Sequence, residues 1–140
     1  MSEDFAKMLN EHPGNGWVHA MGLVIKSATV DEVVGEWVIG DQHRQAYGIV
    51  HGGVHTGMIE SLSSIGAHLV AQARGQRAVG LDNHTSFIRA VREGTLRGVA
   101  TPVTRGRTTQ VWETSIYDAE HKLVARGTVR LLCIAEDAAL

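Results

Sequence analysis

The sequence predicts an antiparallel α+β domain, and three patterns point to it. Valine- and isoleucine-rich stretches fill the region from Trp17 to Ile39. A row of apolar residues at helical spacing then runs through Met58, Leu62, Ile65 and Leu69. After Gln76 the period changes to two and stays there. The order is therefore strands, one long helix, then about four long strands. No internal repeat, low-complexity tract or Pro/Gly/Ser linker divides the 140 residues, so residues 1–140 read as one domain. Folding a chain of this size hides roughly 68% of its unfolded surface, which suffices for one core.

Each element has its own signal. Asp4 to Glu11 reads as a short helix stopped by Pro13-Gly14. Trp17 to Ile39 reads as two extended segments joined by a turn at Asp31-Glu32, and Asp41 to Val50 as an irregular loop. Gly52-Gly53 opens a proline-free helical stretch over about Val54 to Ala73, which Arg74-Gly75 ends. Its other faces carry Gly57, Ser61, Ser63, Ser64, Gly66, Ala67 and Ala71, so the helix is covered from several directions and is central. Gln110, Trp112, Thr114 and Ile116 alternate with Val111, Glu113, Ser115 and Tyr117. In the last strand Leu123, Ala125, Val129 and Leu131 alternate with Val124, Arg126, Thr128 and Arg130. Turns near Thr104–Arg107 and Asp118–His121 join these strands as hairpins.

Composition excludes several classes. Hydrophobic residues make up 44% and charged residues 20%, which fits neither a disordered nor a fibrous chain. A net charge of −2 argues against a dedicated nucleic-acid binder. A single cysteine, Cys133, allows no internal disulfide and no thiolate zinc cluster, and in its apolar strand it reads as core. The start, Met1-Ser2-Glu3-Asp4, is acidic where a signal peptide is basic, and no apolar run approaches the roughly 20 residues of a membrane helix. The expectation is a soluble cytoplasmic domain.

The charge distribution is more informative than its total. Between Arg44 and Arg74 the only formally charged side chain is Glu60. A carboxylate in so apolar a helix is costly to bury charged, and no lysine or arginine lies within reach along the helix. Such a setting suits a general base or a nucleophile. The alternatives are a solvent-facing position and a pairing with a distant arginine. Ser64, four residues on, shares the helical face of Glu60 and either holds water or substrate or bonds back to the Glu60 carbonyl. His51-Gly52-Gly53 sits at the loop-to-helix junction, where free N–H groups and the helix dipole favour an oxyanion, and Gln45 in the preceding loop is a second donor. His51 and His55 have i, i+4 spacing, but Gly52-Gly53 breaks the helix that a metal pair needs, and no His-Glu-x-x-His or Cys-x-x-Cys occurs, so no metal is expected. Gly14-Asn15-Gly16 lacks the third glycine of a dinucleotide loop. Arg89, Arg92, Arg97, Arg105 and Arg107 face only Glu93 between Phe87 and Gln110, either as a solvated strand face or as a grip for a phosphorylated ligand.

These residues resemble a family. Gln45, then His51-Gly52-Gly53-Val54-His55, then Glu60 and Ser64, with Gly80–His84 and Arg105–Trp112 further on, resemble the hotdog-fold acyl-CoA thioesterases. The branch most similar hydrolyses 4-hydroxybenzoyl-CoA and related aryl-CoA esters with a helix glutamate. The phenylacetate-pathway, enterobactin-proofreading and dihydroxynaphthoyl-CoA thioesterases are also similar. The resemblance implies an antiparallel sheet wrapped around a long central helix, paired into dimers and commonly a homotetramer, with sites between subunits. It implies Glu60 as base or nucleophile, the Gly52 N–H and Gln45 on the thioester carbonyl, Ser64 orienting water or the aryl group, and His51 supporting the loop. Phe87, Ile88, Arg89 and Ala90, with Thr104, Arg105, Gly106, Arg107, Thr108 and Thr109, would lie along the coenzyme A. Some relatives carry histidine where this chain has Phe87. No cofactor is implied, since the CoA ester is the substrate. Two other activities fit the fold: a hydratase or dehydratase using Asp82 and His84, and a non-catalytic acyl-CoA-binding domain.

Overall fold

The computed structural model describes residues 3–12 and 16–140. Two short helices, α1 (Ala6–Glu11) and α2 (Trp17–Met21), precede strands β1 (Val24–Ala28) and β2 (Val33–Val38). A 3₁₀ turn at Asp41–His43 leads into the long helix α3 (Gly52–Gln72). Strands β3 (Gln76–Phe87), β4 (Thr95–Arg105), β5 (Thr109–Tyr117) and β6 (Leu123–Ala135) follow. All six strands form one antiparallel sheet in the order β1-β2-β4-β5-β6-β3. β3 thus pairs with the last strand rather than with its sequence neighbour β4, and it forms one edge of the sheet. α3 packs across the sheet and touches β2 through β6, the arrangement of the hotdog fold.

The helix is seated by large side chains from one element meeting small ones from another. Met58, Ile59, Leu62, Leu69 and Val70 are buried in the core, and burying each stabilises by about 1.5–3 kcal/mol. The sheet answers with Trp112 and Ile116 of β5 and with Val129 and Leu131 of β6. The Trp112 ring lies against Gly66, so closely that a Cβ there would clash with it. The fully buried Gln110 ties the two layers: its Nε2 donates to the Ala67 carbonyl at 3.0 Å, and its Oε1 accepts from Trp112 Nε1 at 2.9 Å. Ser63 and Thr114 share a hydroxyl hydrogen bond of 2.8 Å beside it. The expected alternation in β5 is present, with Gln110, Trp112, Thr114 and Ile116 all inside.

Several expectations are corrected. Trp17–Met21 is helical, not extended: its ring rests on Gly57 of α3, and Gly22, at φ 70°, ends the turn. α3 begins at Gly52, two residues before the expected Val54, because His51 caps it. The first helix begins at Ala6 rather than Asp4, whose Oδ1 instead accepts from the N–H groups of Ala6 and Ala28 and joins α1 to β1. The expected stop at Pro13-Gly14, and most of Gly14-Asn15-Gly16, lie outside the described residues. The loop from Asp41 to Val50 is ordered by the buried His43, whose Nδ1 accepts from Gly40 N–H while its Nε2 donates to the Met21 carbonyl.

Gly66→Ala separates two opposed effects. Alanine improves a helix interior by about 1 kcal/mol. Here the new methyl would press on a fully buried ring fixed by Gln110, and overpacking costs about 1–3 kcal/mol. Urea denaturation is expected to show a net loss of up to about 2 kcal/mol; a gain would mean that Trp112 has room to move.

Candidate active site

The N-terminus of α3 is built by His51. Its backbone is extended, and its Nδ1 accepts from the Gly53 N–H at 2.7 Å. Its carbonyl takes the Val54 N–H at 2.9 Å. The Gly52 N–H is left with no acceptor among the described residues, at the positive end of a 21-residue helix. Gln45 stands in the loop beside it; its Oε1 accepts from the Tyr47 N–H, which turns the amide nitrogen away from that loop contact. Gln45, Gly52, His55, Phe87, Ile88, Arg89 and Ala90 together line a cavity of about 350 Å³. The Phe87 ring lies over Gly52, where any Cβ would come within 2.7 Å of it.

The carboxylate lies on a different part of the helix. Glu60 is half-buried and points at β3. Its Oε2 accepts from Asn83 Nδ2 at 3.0 Å, and the Ser64 hydroxyl stands 3.4 Å from Oε1. The Asn83 amide is itself fixed: Nδ2 also donates to the Thr56 carbonyl at 3.2 Å, and Oδ1 accepts from the Thr85 hydroxyl at 2.7 Å. Gly80 makes room, since a Cβ there would sit 2.5 Å from Glu60 Oε1. Gly80 and Asn83 are three residues apart and would occupy opposite faces of a regular strand. A register shift between Gly80 and Asp82 brings both onto Glu60. Glu60 forms no ion pair among the described residues, so neither the distant arginine nor full exposure describes it. Ser64 meets the carboxylate rather than the backbone carbonyl.

One chain does not bring these two groups together. Eight residues of α3 separate Gly52 from Glu60, about 12 Å along the axis, too far for one carbonyl carbon to meet both. The residues expected along coenzyme A also divide. Phe87 lies opposite Ala125 on β6 and Thr109 opposite Leu132, so Phe87–Ala90 and Thr104–Thr109 occupy opposite ends of the sheet, about 24 Å apart along β6. The arginines are not a free cluster. Arg97 pairs with Glu36 at 2.6 Å and Arg105 with Asp31 at 2.8 Å, while Arg92 donates to the Tyr47 carbonyl. Glu36 comes from β2, Asp31 from the turn before it and Tyr47 from the loop before α3, all far off in sequence. Asp82 pairs with Arg130 at 2.8 Å and, like His84, is exposed. Among the described residues no group of three His, Cys, Asp or Glu is placed to hold a metal, and no helix is long and apolar enough to cross a membrane.

Two residues escaped the sequence reading. Asn83 gave no signal, because only the bulge turns it to Glu60. His55 enters the sequence reading as a metal partner of His51 and as part of the family pattern, with no role of its own, yet it stands one turn inside the helix on the Gly52 cavity. It is 3% exposed, and burial pushes its imidazole from the ordinary 6.5 down to about 4. The folded chain therefore binds fewer protons than the unfolded chain between those values, and stability rises with pH across that window. Acidification from pH 6.5 to 4 is expected to remove about 3 kcal/mol, and His55→Leu to abolish that slope. Asp4 and Asp118, held low by backbone N–H groups, add their own loss only at the acid end of that window and below it. Urea melts at stepped pH values check this.

Comparison with known proteins agrees with this fold. The family model of the thioesterase superfamily matches residues 47–125, which include α3 and the strand that holds Glu60. A Mycobacterium tuberculosis protein that carries an esterase name is 44% identical over 89 residues, 62% of this chain and 64% of the relative. The 1,4-dihydroxy-2-naphthoyl-CoA hydrolase of Escherichia coli is 33% identical over 85 residues, 61% of this chain and 62% of that protein. The chain thus spans somewhat under two thirds of each of these relatives. The solved structure of a Haemophilus influenzae thioesterase superposes with a TM-score of 0.89 at 29% identity, covering 95% of this chain and 92% of that one. Sequence pattern, sheet order and family match converge, and the chain belongs to the thioesterase superfamily.

Proposed function

We propose that the protein is an acyl-CoA thioesterase that hydrolyses an aryl- or phenylacetyl-like CoA ester to the free acid and coenzyme A. The observation that carries this reading is the Glu60 carboxylate, held by the neutral donors Asn83 and Ser64 with no cation on it among the described residues. Oε2 is occupied by Asn83, and Oε1, with only a 3.4 Å hydroxyl contact, is the reactive oxygen. As a base it takes a proton from water while the water oxygen adds to the thioester carbon. As a nucleophile it adds itself, and water then opens the anhydride. In both cases the C–S bond breaks and the proton drawn from water ends on the CoA sulfur. Charge developing on the carbonyl oxygen meets the Gly52 N–H and the Gln45 amide, each such donor contributing about 3–4 kcal/mol. Ser64 orients the water or the aryl group, and His51 holds the turn. Water is the only co-substrate the reaction needs, so no cofactor is invoked. The name of the Escherichia coli relative supports an aryl acyl group.

The 12 Å between Gly52 and Glu60 supports a site shared between two chains. In this reading Gln45 and Gly52 of one chain serve Glu60 of its partner in a homodimer, itself half of a homotetramer. The outer edge of β3, with no strand beyond it among the described residues, supports such pairing of sheets. Coenzyme A then runs along Phe87, Ile88, Arg89 and Ala90 of one chain, and the Thr104–Thr109 hairpin approaches from another. We place the enzyme in the cytoplasm.

A thiol-release screen over benzoyl-, phenylacetyl-, naphthoyl- and straight-chain CoA esters tests the activity. Glu60→Gln is expected to lower kcat at least about 100-fold, and equal rates would remove Glu60 from the mechanism. Asn83→Ala, which frees the carboxylate, should cost about 10- to 100-fold in kcat. Oligomers assembled from Glu60→Gln and Gln45→Ala chains should exceed either parent, because half-sites recombine. Activity no better than the average of the parents would place both groups in one chain.

A further inference from the structure

We propose that His55 is a hydrogen-bonding group of the thioester carbonyl site, donating from its buried Nδ1 to the same oxygen that the Gly52 N–H stabilises. This rests on the thioesterase reading. His55 lies three residues after Gly52, and helical side chains lean toward the helix N-terminus, so the imidazole sits back over the turn that Gly52 opens. It lines the same cavity as Gly52 and Gln45. It is 97% removed from solvent, counting its 3% exposure, yet Nδ1 has no hydrogen-bond partner. Folded proteins rarely leave a buried polar nitrogen unpartnered, because the water it gave up is not replaced. A ligand oxygen at the Gly52 N–H supplies the missing partner.

Phe87 makes the opposite wall. Its ring centroid is 6.3 Å from that of His55, and the ring also covers Gly52, so the imidazole and the Gly52 N–H share one aromatic wall. A hydrogen bond there acts in a low-dielectric setting, where it is stronger than in water. Burial keeps the imidazole neutral at physiological pH. The charged side chain lining the cavity, Arg89, is a cation and gives an imidazolium no support. His55 therefore polarises the carbonyl as a neutral donor, a role known for imidazoles whose protonation is suppressed, and the proton traffic stays with Glu60.

Steady-state hydrolysis of benzoyl-CoA by wild type, His55→Leu and His55→Gln tests the assignment. His55→Leu should lose about 10- to 100-fold in kcat, with KM within about twofold, because the donor acts most strongly on the developing oxyanion. His55→Gln keeps an N–H donor and should recover part of that loss. Full kcat in His55→Leu, or equal impairment of both variants, overturns the proposal. A readout independent of turnover uses ¹⁵N-labelled Glu60→Gln protein titrated with benzoyl-CoA. The His55 Nδ1 resonance should be that of a protonated nitrogen in a neutral ring and should shift on binding. Binding without that shift overturns the role of His55 and leaves the thioesterase reading standing. A wild-type protein that hydrolyses no CoA ester defeats both.

Discussion

A long helix lies flush on a sheet only where side chains are missing from the surfaces that meet. Close packing leaves no slack for compromise, so each large group needs a matching absence. Trp112 takes the space at Gly66, Leu62 that at Gly98, and Ile59 that at Gly127. Trp17 takes the space at Gly57 from the solvent side, and Glu60 Oε1 takes that at Gly80. The last of these is the same kind of contact as the others, with a carboxylate oxygen in place of a ring or a methyl. The position of the Glu60 carboxylate is thus set by the packing that stabilises the fold.

Seating the helix rigidly also fixes what it can do alone. Its first N–H and its mid-helix carboxylate ride on one rod, 12 Å apart, and no side-chain rotation closes that distance. The dipole does not connect them either, because its influence fades within the first turn and Glu60 lies beyond it. Each end therefore solves its own electrostatic problem. At the start, His51 takes the Gly53 and Val54 N–H groups and leaves Gly52 open. Further along, Asn83 and Ser64 hold the carboxylate with neutral donors, which orient it without the quenching that a paired guanidinium would bring.

The parts of the molecule governed by local periodicity were legible in the sequence. α3 and the alternating faces of β5 follow from spacing alone, and the isolation of Glu60 follows from counting charges. The Gln45, His51-Gly52-Gly53 and Glu60 pattern was enough to mark the family. What was not legible depends on contacts between distant residues. Five residues from Trp17 to Met21 are too few to show a helical period, and they are helical because the indole finds Gly57. The arginines between Phe87 and Gln110 looked unpaired because Glu36 and Asp31 lie outside that window. Which end of the sheet holds Thr104–Thr109 depends on strand order, which spacing does not encode. Asn83 depends on a bulge that leaves no trace in the alternation.

That bulge decides the chemistry of the site. Without a register shift after Gly80, the strand's two-residue period would place Asp82, not Asn83, on the face toward Glu60. Two carboxylates would then share one pocket, and only one could remain charged. The extra residue flips the parity. Asp82 goes to the exposed side, where Arg130 meets it at 2.8 Å, and the Asn83 amide takes the inner position. A single inserted residue in β3 thus sorts one acid outward to a cation and one amide inward to the Glu60 carboxylate. The isolation of Glu60 seen in the charge count is completed by strand geometry, because it must hold across the sheet as well as along the helix.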